Sequence, residues 1–289
     1  MTGVIDFPNL GLTLHHVGNG INIGSFRIAF YGIIIALGMS LGIALVTYIA
    51  GRTDQNPDNY FNFAILTMVV AVIGARIYYV IFSWDYYGAY PLEILNFRAG
   101  GLAIYGGIIA GVVNAIAWCR VKKQKVLLLL DTCMVGLPLG QAIGRWGNFF
   151  NREAFGGFTD GLLAMGLPVQ DVRSGELTES ILSRTYVKEG LTFIQVHPTF
   201  LYESMWNLAL TGLLVLVTLK LKKKFDGEVF LLYLLGYGIG RFWIEGLRTD
   251  QLRISGTQIA VSQLLSAVLA VTAALFLILG MYRYYRKNS

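Results

Sequence analysis

Seven stretches of this chain run for about twenty residues or more with almost no charge, and nothing else limits its fold so strongly. The hydrocarbon core of a bilayer takes roughly 20 apolar residues in a helix. Within that core only helices and closed barrels satisfy their own backbone hydrogen bonds. The stretches fall at about 24–50, 60–82, 100–120, 126–145, 198–219, 228–247 and 258–282. The chain is 55% hydrophobic and 14% charged, where roughly a quarter charged is ordinary for a soluble domain. A soluble core of this composition would have no surface polar enough to cover it. The expected fold class is an all-α integral membrane protein with seven transmembrane helices, one polytopic domain over residues 1–289.

Lysine and arginine set the expected orientation, since short cytoplasmic loops carry the excess of positive charge. One set of loops holds Arg52, Arg120, Lys122, Lys123, Lys125, Lys220, Lys222, Lys223, Lys224, Arg283, Arg286 and Lys287. The other holds Arg98, Arg152, Arg173, Arg184, Lys188, Arg248 and Arg253, most of them in one long segment. This distribution predicts an external N-terminus and a cytosolic C-terminus. The 146–197 segment then reads as an external insertion able to form a small cap. The first run carries no basic cluster before it and no small-residue cleavage site after it, so it reads as a span, not a signal peptide. The net charge of +6 lies in short runs beside apolar stretches and points to membrane orientation, with no nucleic-acid partner expected.

Cys119 and Cys133 sit inside apolar runs and read as small hydrophobes. His15, His16 and His197 are the only histidines, and none stands at metal-ligand spacing, so neither a metal nor a cofactor is expected. Glycines at four-residue spacing, among them Gly38 and Gly42, Gly107 and Gly111, and Gly136, Gly140 and Gly144, let helix backbones approach closely.

Ionisable residues within spans are costly and usually functional. Tyr237, Arg241, Glu245 and Arg248 share one helical face, as do Gln141, Arg145 and Asn148. Arg76, Tyr31, Arg27, Tyr105 and Glu203 come from four other spans. Counted at 1.5 Å per residue, all lie within roughly 10 Å of the external ends. An electropositive, carboxylate-containing pocket at outer-leaflet depth follows if these faces turn inward. Arginine's planar fork suits phosphate, and an anionic phospholipid headgroup lies at this depth. Blander roles stand beside these: Arg27 as a snorkelling residue, Arg76 as a structural ion pair, and Glu245 as a neutralising neighbour of Arg241 or Arg248.

From Gly144 to Gly157 the sequence reads G-R-W-G-N-F-F-N-R-E-A-F-G-G. This resembles the signature of the prolipoprotein diacylglyceryl transferases. Tyr31-Gly32, Gly74-Ala75-Arg76, Gly101 to Gly107, His197-Pro198 through Tyr202-Glu203, and Gly236-Tyr237 through Arg241, with Glu245 and Arg248, follow in the family's order. The resemblance implies a multi-pass enzyme of the bacterial cytoplasmic membrane. It would move the diacylglyceryl group of phosphatidylglycerol onto the lipobox cysteine of a prolipoprotein, forming a thioether and releasing glycerol phosphate.

On that reading Arg145 and Arg241 take the phosphate, and Asn148 and Asn151 fix its hydroxyls or orient Arg145. Tyr31, Arg76 and Tyr237 complete the phosphatidylglycerol site. Glu203, Glu245 and Arg248, with Glu153, Gly156, His197 and Tyr202, support it. Part of the family has His where this chain has Tyr105. A phenol with an ordinary pKa of about 10 is a poor base unless cations lower it. Tyr105 as phenolate, Tyr105 as a hydrogen-bonding group, a carboxylate base such as Glu245, and no dedicated base all stay open. Two other functions compete: a non-catalytic anionic-lipid-binding protein and a transporter. Transporter sites usually lie at the midplane between related halves, which the one-sided polar residues here do not match.

Overall fold

The computed structural model describes residues 2–24, 26–97, 100–257 and 259–288. Arg98, counted above with the outer basic residues, lies outside the described residues. In chain order the elements begin with β1 (Ile5–Phe7), β2 (Leu12–Leu14), β3 (Gly20–Ile23), β4 (Phe26–Ala29) and α1 (Phe30–Arg52). There follow α2 (Pro57–Phe82), the single turn α3 (Trp84–Tyr87), α4 (Ile104–Lys122), α5 (Val126–Asn151) and β5 (Met165–Pro168). The chain continues with the single turn α6 (Glu179–Leu182), β6 (Tyr186–Lys188), β7 (Leu191–Val196), α7 (Thr199–Leu216), α8 (Glu228–Leu247) and α9 (Val261–Asn288). A π turn, Val217–Leu221, extends α7.

The protein is mostly helical. Six helices are long and apolar enough to cross a membrane: α1, α2, α4, α5, α7 with its π turn, and α9. The remaining expected span, α8, is a 20-residue helix, but Glu228, Arg241 and Glu245 within it reduce its hydropathy. Two boundaries move from the sequence reading. The apolar run placed at 24–50 begins as strand β4, and its helix starts only at Phe30. The fourth helix does not stop at 145 but continues to Asn151, so the start of the 146–197 segment is helical. Local chemistry explains a clean boundary: Asn56 caps α2 by accepting from the backbone N–H of Asp58 and Asn59, with Pro57 at the first helical position.

The chain divides into two compact units, residues 1–42 with 134–289, and residues 43–133. In the first, glycines bring α1 and α5 together. A Cβ at Gly38 would stand 3.0 Å from the Gly140 carbonyl oxygen, and one at Gly42 would stand 3.0 Å from that of Gly136. Side chains there would force the backbones apart.

The same unit carries a five-stranded antiparallel sheet in the order β2-β1-β5-β7-β6, which hydropathy reading did not foresee. Its inner face is welded to the helices by one apolar cluster. Ile5, Leu167, Ile194 and Val196 pack with Phe149 from α5, Phe155 from the following loop and Phe200 from α7. Arg152, expected as an outer loop charge, is instead buried under this sheet. It donates to the carbonyls of Val17 at 2.7 Å and Phe150 at 3.3 Å, and lies 3.6 Å from the Asp171 carboxylate.

The second unit has its own core of Val46, Ala50, Tyr60, Phe63, Ala115, Cys119 and Leu129, with Trp118, Val126 and Cys133 against it. Both cysteines are free and packed among hydrophobic groups, as their sequence context indicated.

On β1, between β2 and β5, buried Asp6 accepts hydrogen bonds from Lys188 Nζ at 2.7 Å, Thr13 Oγ1 at 2.7 Å and Tyr186 O–H at 2.8 Å. Burial alone would raise its pKa, but these three donors outweigh it and hold the carboxyl below its ordinary value. A carboxyl with a lowered folded-state pKa adds stability above its unfolded pKa and loses it as pH falls through the folded value. Protease resistance of the sheet is therefore expected to stay flat from neutrality to the ordinary carboxylate range, then fall. Asp6→Asn should remove that acid step and lower stability at neutral pH by about 1–3 kcal/mol. Pulse proteolysis across pH checks this, and a variant as resistant as the parent at pH 7 would contradict it.

Candidate functional site

Three helices deliver their polar residues to one place because their sheet-side ends lie together. Arg145 sits near the C-terminus of α5, Glu203 in the first turns of α7, and Arg241 and Glu245 in the last turns of α8. The loop after α5 fixes these ends through the backbone. Gly156 N–H donates to the His197 carbonyl at 3.0 Å, and Gly157 N–H to the Leu247 carbonyl at 2.9 Å. Gly156 also bridges to Arg248 in an antiparallel pair. A Cβ at Gly156 would stand 2.7 Å from His197 Cβ and 2.8 Å from the Leu247 oxygen, so glycine is what lets the start of α7 and the end of α8 close around this strand.

Glu203 is the centre of the site. Its Oε2 lies 2.6 Å from Arg145 Nε, and its Oε1 lies 3.0 Å from Arg241 Nη1 and 3.9 Å from Arg248 Nη1. Arg241 in turn places Nη2 2.6 Å from Glu245 Oε2, and Ser262 O–H donates to the other Glu245 oxygen at 2.5 Å. Both carboxylates are buried. Arg248 turns most of its fork outward to Asp250, with contacts of 2.6 and 2.8 Å. Desolvating charges this far is tolerable only with such close pairing.

Arg145 differs from the others. It is anchored through Nε alone, and among the described residues its two terminal nitrogens have no partner. Its side chain is 24% exposed. A fork held at its base and open at its tip has the geometry that can take a planar pair of anionic oxygens.

A second cluster lies at the end of α5. Asn148 and Asn151 donate to Glu153 Oε1 at 3.2 and 3.1 Å, and Arg173 pairs with Glu153 Oε2 at 2.9 Å. Both amides are thus tied to Glu153. Tyr31 packs its ring over Gly147 of α5, where a Cβ would stand 2.6 Å from Tyr31 Cδ2. His197 Nδ1 lies 3.3 Å from the Tyr202 oxygen, and burial lowers the His197 pKa. Tyr237 stacks on Tyr233 at 5.6 Å and lines a narrow cleft with Glu203, Trp206, Asn207, Gly240, Arg241 and Ile244. Asn207 was missed by the sequence reading. Its position four residues after Glu203, on the same helical face, is the signal that could have found it.

Arg76 and Tyr105 belong to the other unit. Arg76 is buried, and its guanidinium donates to five carbonyls of one loop, those of Glu93, Ile94, Asn96, Gly100 and Gly101, at 2.5–3.3 Å. Its ring neighbours are Tyr87 and Phe97. In place of an ion pair, the structure gives it the role of loop organiser. Tyr105 lies in the first turn of α4 and is about half exposed. Among the described residues, no three His, Cys, Asp or Glu side chains converge as metal ligands.

The geometry makes Glu203 the keystone of this site. Glu203→Gln would leave Arg145 without its carboxylate and Arg241 with Glu245 alone, at a cost of about 3–5 kcal/mol. Thermal unfolding in detergent should show a larger loss for Glu203→Gln than for Arg145→Ala, whose side chain is partly exposed. The reverse order would contradict this arrangement.

Residues 19–279 match the family model described as prolipoprotein diacylglyceryl transferase. The phosphatidylglycerol-prolipoprotein diacylglyceryl transferase of Clostridioides difficile (strain 630) is 40% identical over 251 residues, covering 86% of this chain and 91% of that protein. The protein of the same name from Bacillus cereus (strain B4264) is 39% identical over 258 residues, covering 89% and 90%. One from Bacillus anthracis is 40% identical over the same length. With a family match over most of its length and relatives this similar, the chain belongs to the prolipoprotein diacylglyceryl transferase family.

Proposed function

We propose that this protein transfers the diacylglyceryl group of phosphatidylglycerol to the lipobox cysteine of prolipoproteins, in a bacterial cytoplasmic membrane. In this reading α8 crosses the bilayer with the six more apolar helices, the N-terminus and the sheet lie outside, and the C-terminus is cytosolic. The whole 1–289 chain then acts as one polytopic domain with 146–197 in its external cap. The observation that carries the reading is the open fork of Arg145, anchored on Glu203 beside Arg241.

The reaction follows from that arrangement. The substrate thiol, with an ordinary pKa near 8.5, gives up its proton to water and attacks as thiolate. A bond forms from sulfur to the glyceryl carbon, and the bond from that carbon to the phosphate oxygen breaks. Glycerol phosphate leaves with the electron pair. Negative charge grows on the phosphate in the transition state, so cations fixed beforehand lower the barrier more than they tighten ground-state binding. Arg145 and Arg241 take this role, with Tyr31, Tyr237, Asn148 and Asn151 around the headgroup. Glu245 and Arg248 position Arg241, and Glu153, His197, Tyr202 and Gly156 hold the ends of the helices. Both carboxylates of the cluster are already engaged by guanidinium groups, which disfavours Glu245 as the proton acceptor.

The test uses purified protein in phosphatidylglycerol vesicles with a lipobox peptide, read by mass spectrometry. A diacylglyceryl mass gain that requires the peptide cysteine, with released glycerol phosphate, is expected. Arg145→Ala should slow it by about 100- to 1,000-fold with the protein still folded. An unmodified peptide with folded, lipid-binding protein would instead favour a lipid-binding scaffold or transporter.

A further inference from the structure

One helical turn farther from the sheet than the charged cluster, α7 and α8 bring a second pair of polar residues together. Asn207 follows Glu203 by four residues on α7, and Tyr237 precedes Arg241 by four on α8. The two line the same cleft as Glu203 and Arg241, between walls that include Trp206 and Ile244. Asn207 is 3% exposed. Its Oδ1 is buried without a hydrogen-bond partner, and no other interaction of its side chain exists among the described residues. A buried amide left unpaired is costly, and such groups in native proteins usually have an account in a ligand, an ion or a water.

Resting on the transfer reaction proposed above, we infer that Asn207 is a specificity-determining residue that binds a hydroxyl of the phosphoglycerol headgroup. A carboxamide both donates and accepts, and a hydroxyl is its match in either role. One turn is about 5.4 Å along the axis, which a three-carbon headgroup spans from a phosphate held at Arg145 and Arg241. The niche is neutral at Asn207 and Tyr237, and the Glu203 carboxylate that also lines the cleft is already engaged by Arg145 and Arg241, so an ammonium headgroup finds no free anion there. A purely apolar headgroup leaves Asn207 unpaired. Asn148 and Asn151, the amides that the sequence pointed to for this task, are already held by Glu153.

The test compares phosphatidylglycerol with phosphatidylpropanol, which keeps the phosphodiester charge and the leaving phosphate and lacks only the hydroxyls. Affinity is read by displacement in detergent micelles, and transfer by kcat/KM with a lipobox peptide. The parent protein should prefer phosphatidylglycerol by about 10- to 100-fold. Asn207→Leu, and Asn207→Ala as a variant too small to clash, should reduce that preference to within about threefold. The ratio of the two lipids within one protein cancels any loss of folded material, so a merely structural Asn207 leaves it unchanged. Equal handling of both lipids by the parent, or an intact preference in the variants, overturns the inference. If the parent binds phosphatidylglycerol selectively through Asn207 but transfers nothing to the peptide, the headgroup reader stands and the transfer reaction falls.

Discussion

A carboxylate buried between two arginines is the interaction on which the rest of the site depends. Glu203 has one oxygen on Arg145 and the other on Arg241, so three helices cannot shift independently without stranding a charge in a low-dielectric interior. Attraction between such groups is strong there, and so is the penalty for leaving one unpaired. This gives the site its rigidity. It also explains how one arginine can be fixed in direction and still present free donors, since the bond that holds Arg145 uses Nε and leaves the tip of the fork open.

The small sheet serves this arrangement. Helix ends fray unless something holds them, and the ends of α5, α7 and α8 are where the charged residues lie. Phe149 and Phe200 tie two of those ends into the apolar core of the sheet, while the Gly156-Gly157 strand takes the third by hydrogen bonding to Leu247. Arg152 closes the structure from below by bonding to the Val17 carbonyl, which links the N-terminal segment to the end of α5. A segment that runs from Gly144 to Gly157 thus encodes the arginine anchored on Glu203 and the backbone that clamps the helix ends beside it.

Much of this was legible in the chain. Apolar runs located the six helices long and apolar enough to cross a membrane and the 20-residue α8, and the face periodicity of Arg145 with Asn148 and of Arg241 with Glu245 grouped residues on single helices. The glycine spacing anticipated the approach of Gly38 to Gly140 and of Gly42 to Gly136. The sheet was illegible because its strands are three to six residues long and draw on segments far apart in sequence. No local pattern records that Asp6 will pair with Lys188. Arg152 looked like a solvated loop charge for a similar reason: its partners, Val17 and Asp171, come from both sides of it in sequence.

The sequence by itself determined what is governed by local periodicity and by the solvent: a helical membrane chain, its polar helix faces and a family-specific motif. These follow from the length of a bilayer-spanning helix and the 3.6-residue turn, both of which act within one segment. Only the tertiary structure decided partners. It gave Arg76 to the carbonyls of its own loop and Asn148 and Asn151 to Glu153, and it left the amide of Asn207 without a partner beside Arg241. A hydrogen bond is satisfied by whichever group stands within about 3 Å, and that proximity arises from packing between segments that the linear pattern does not encode.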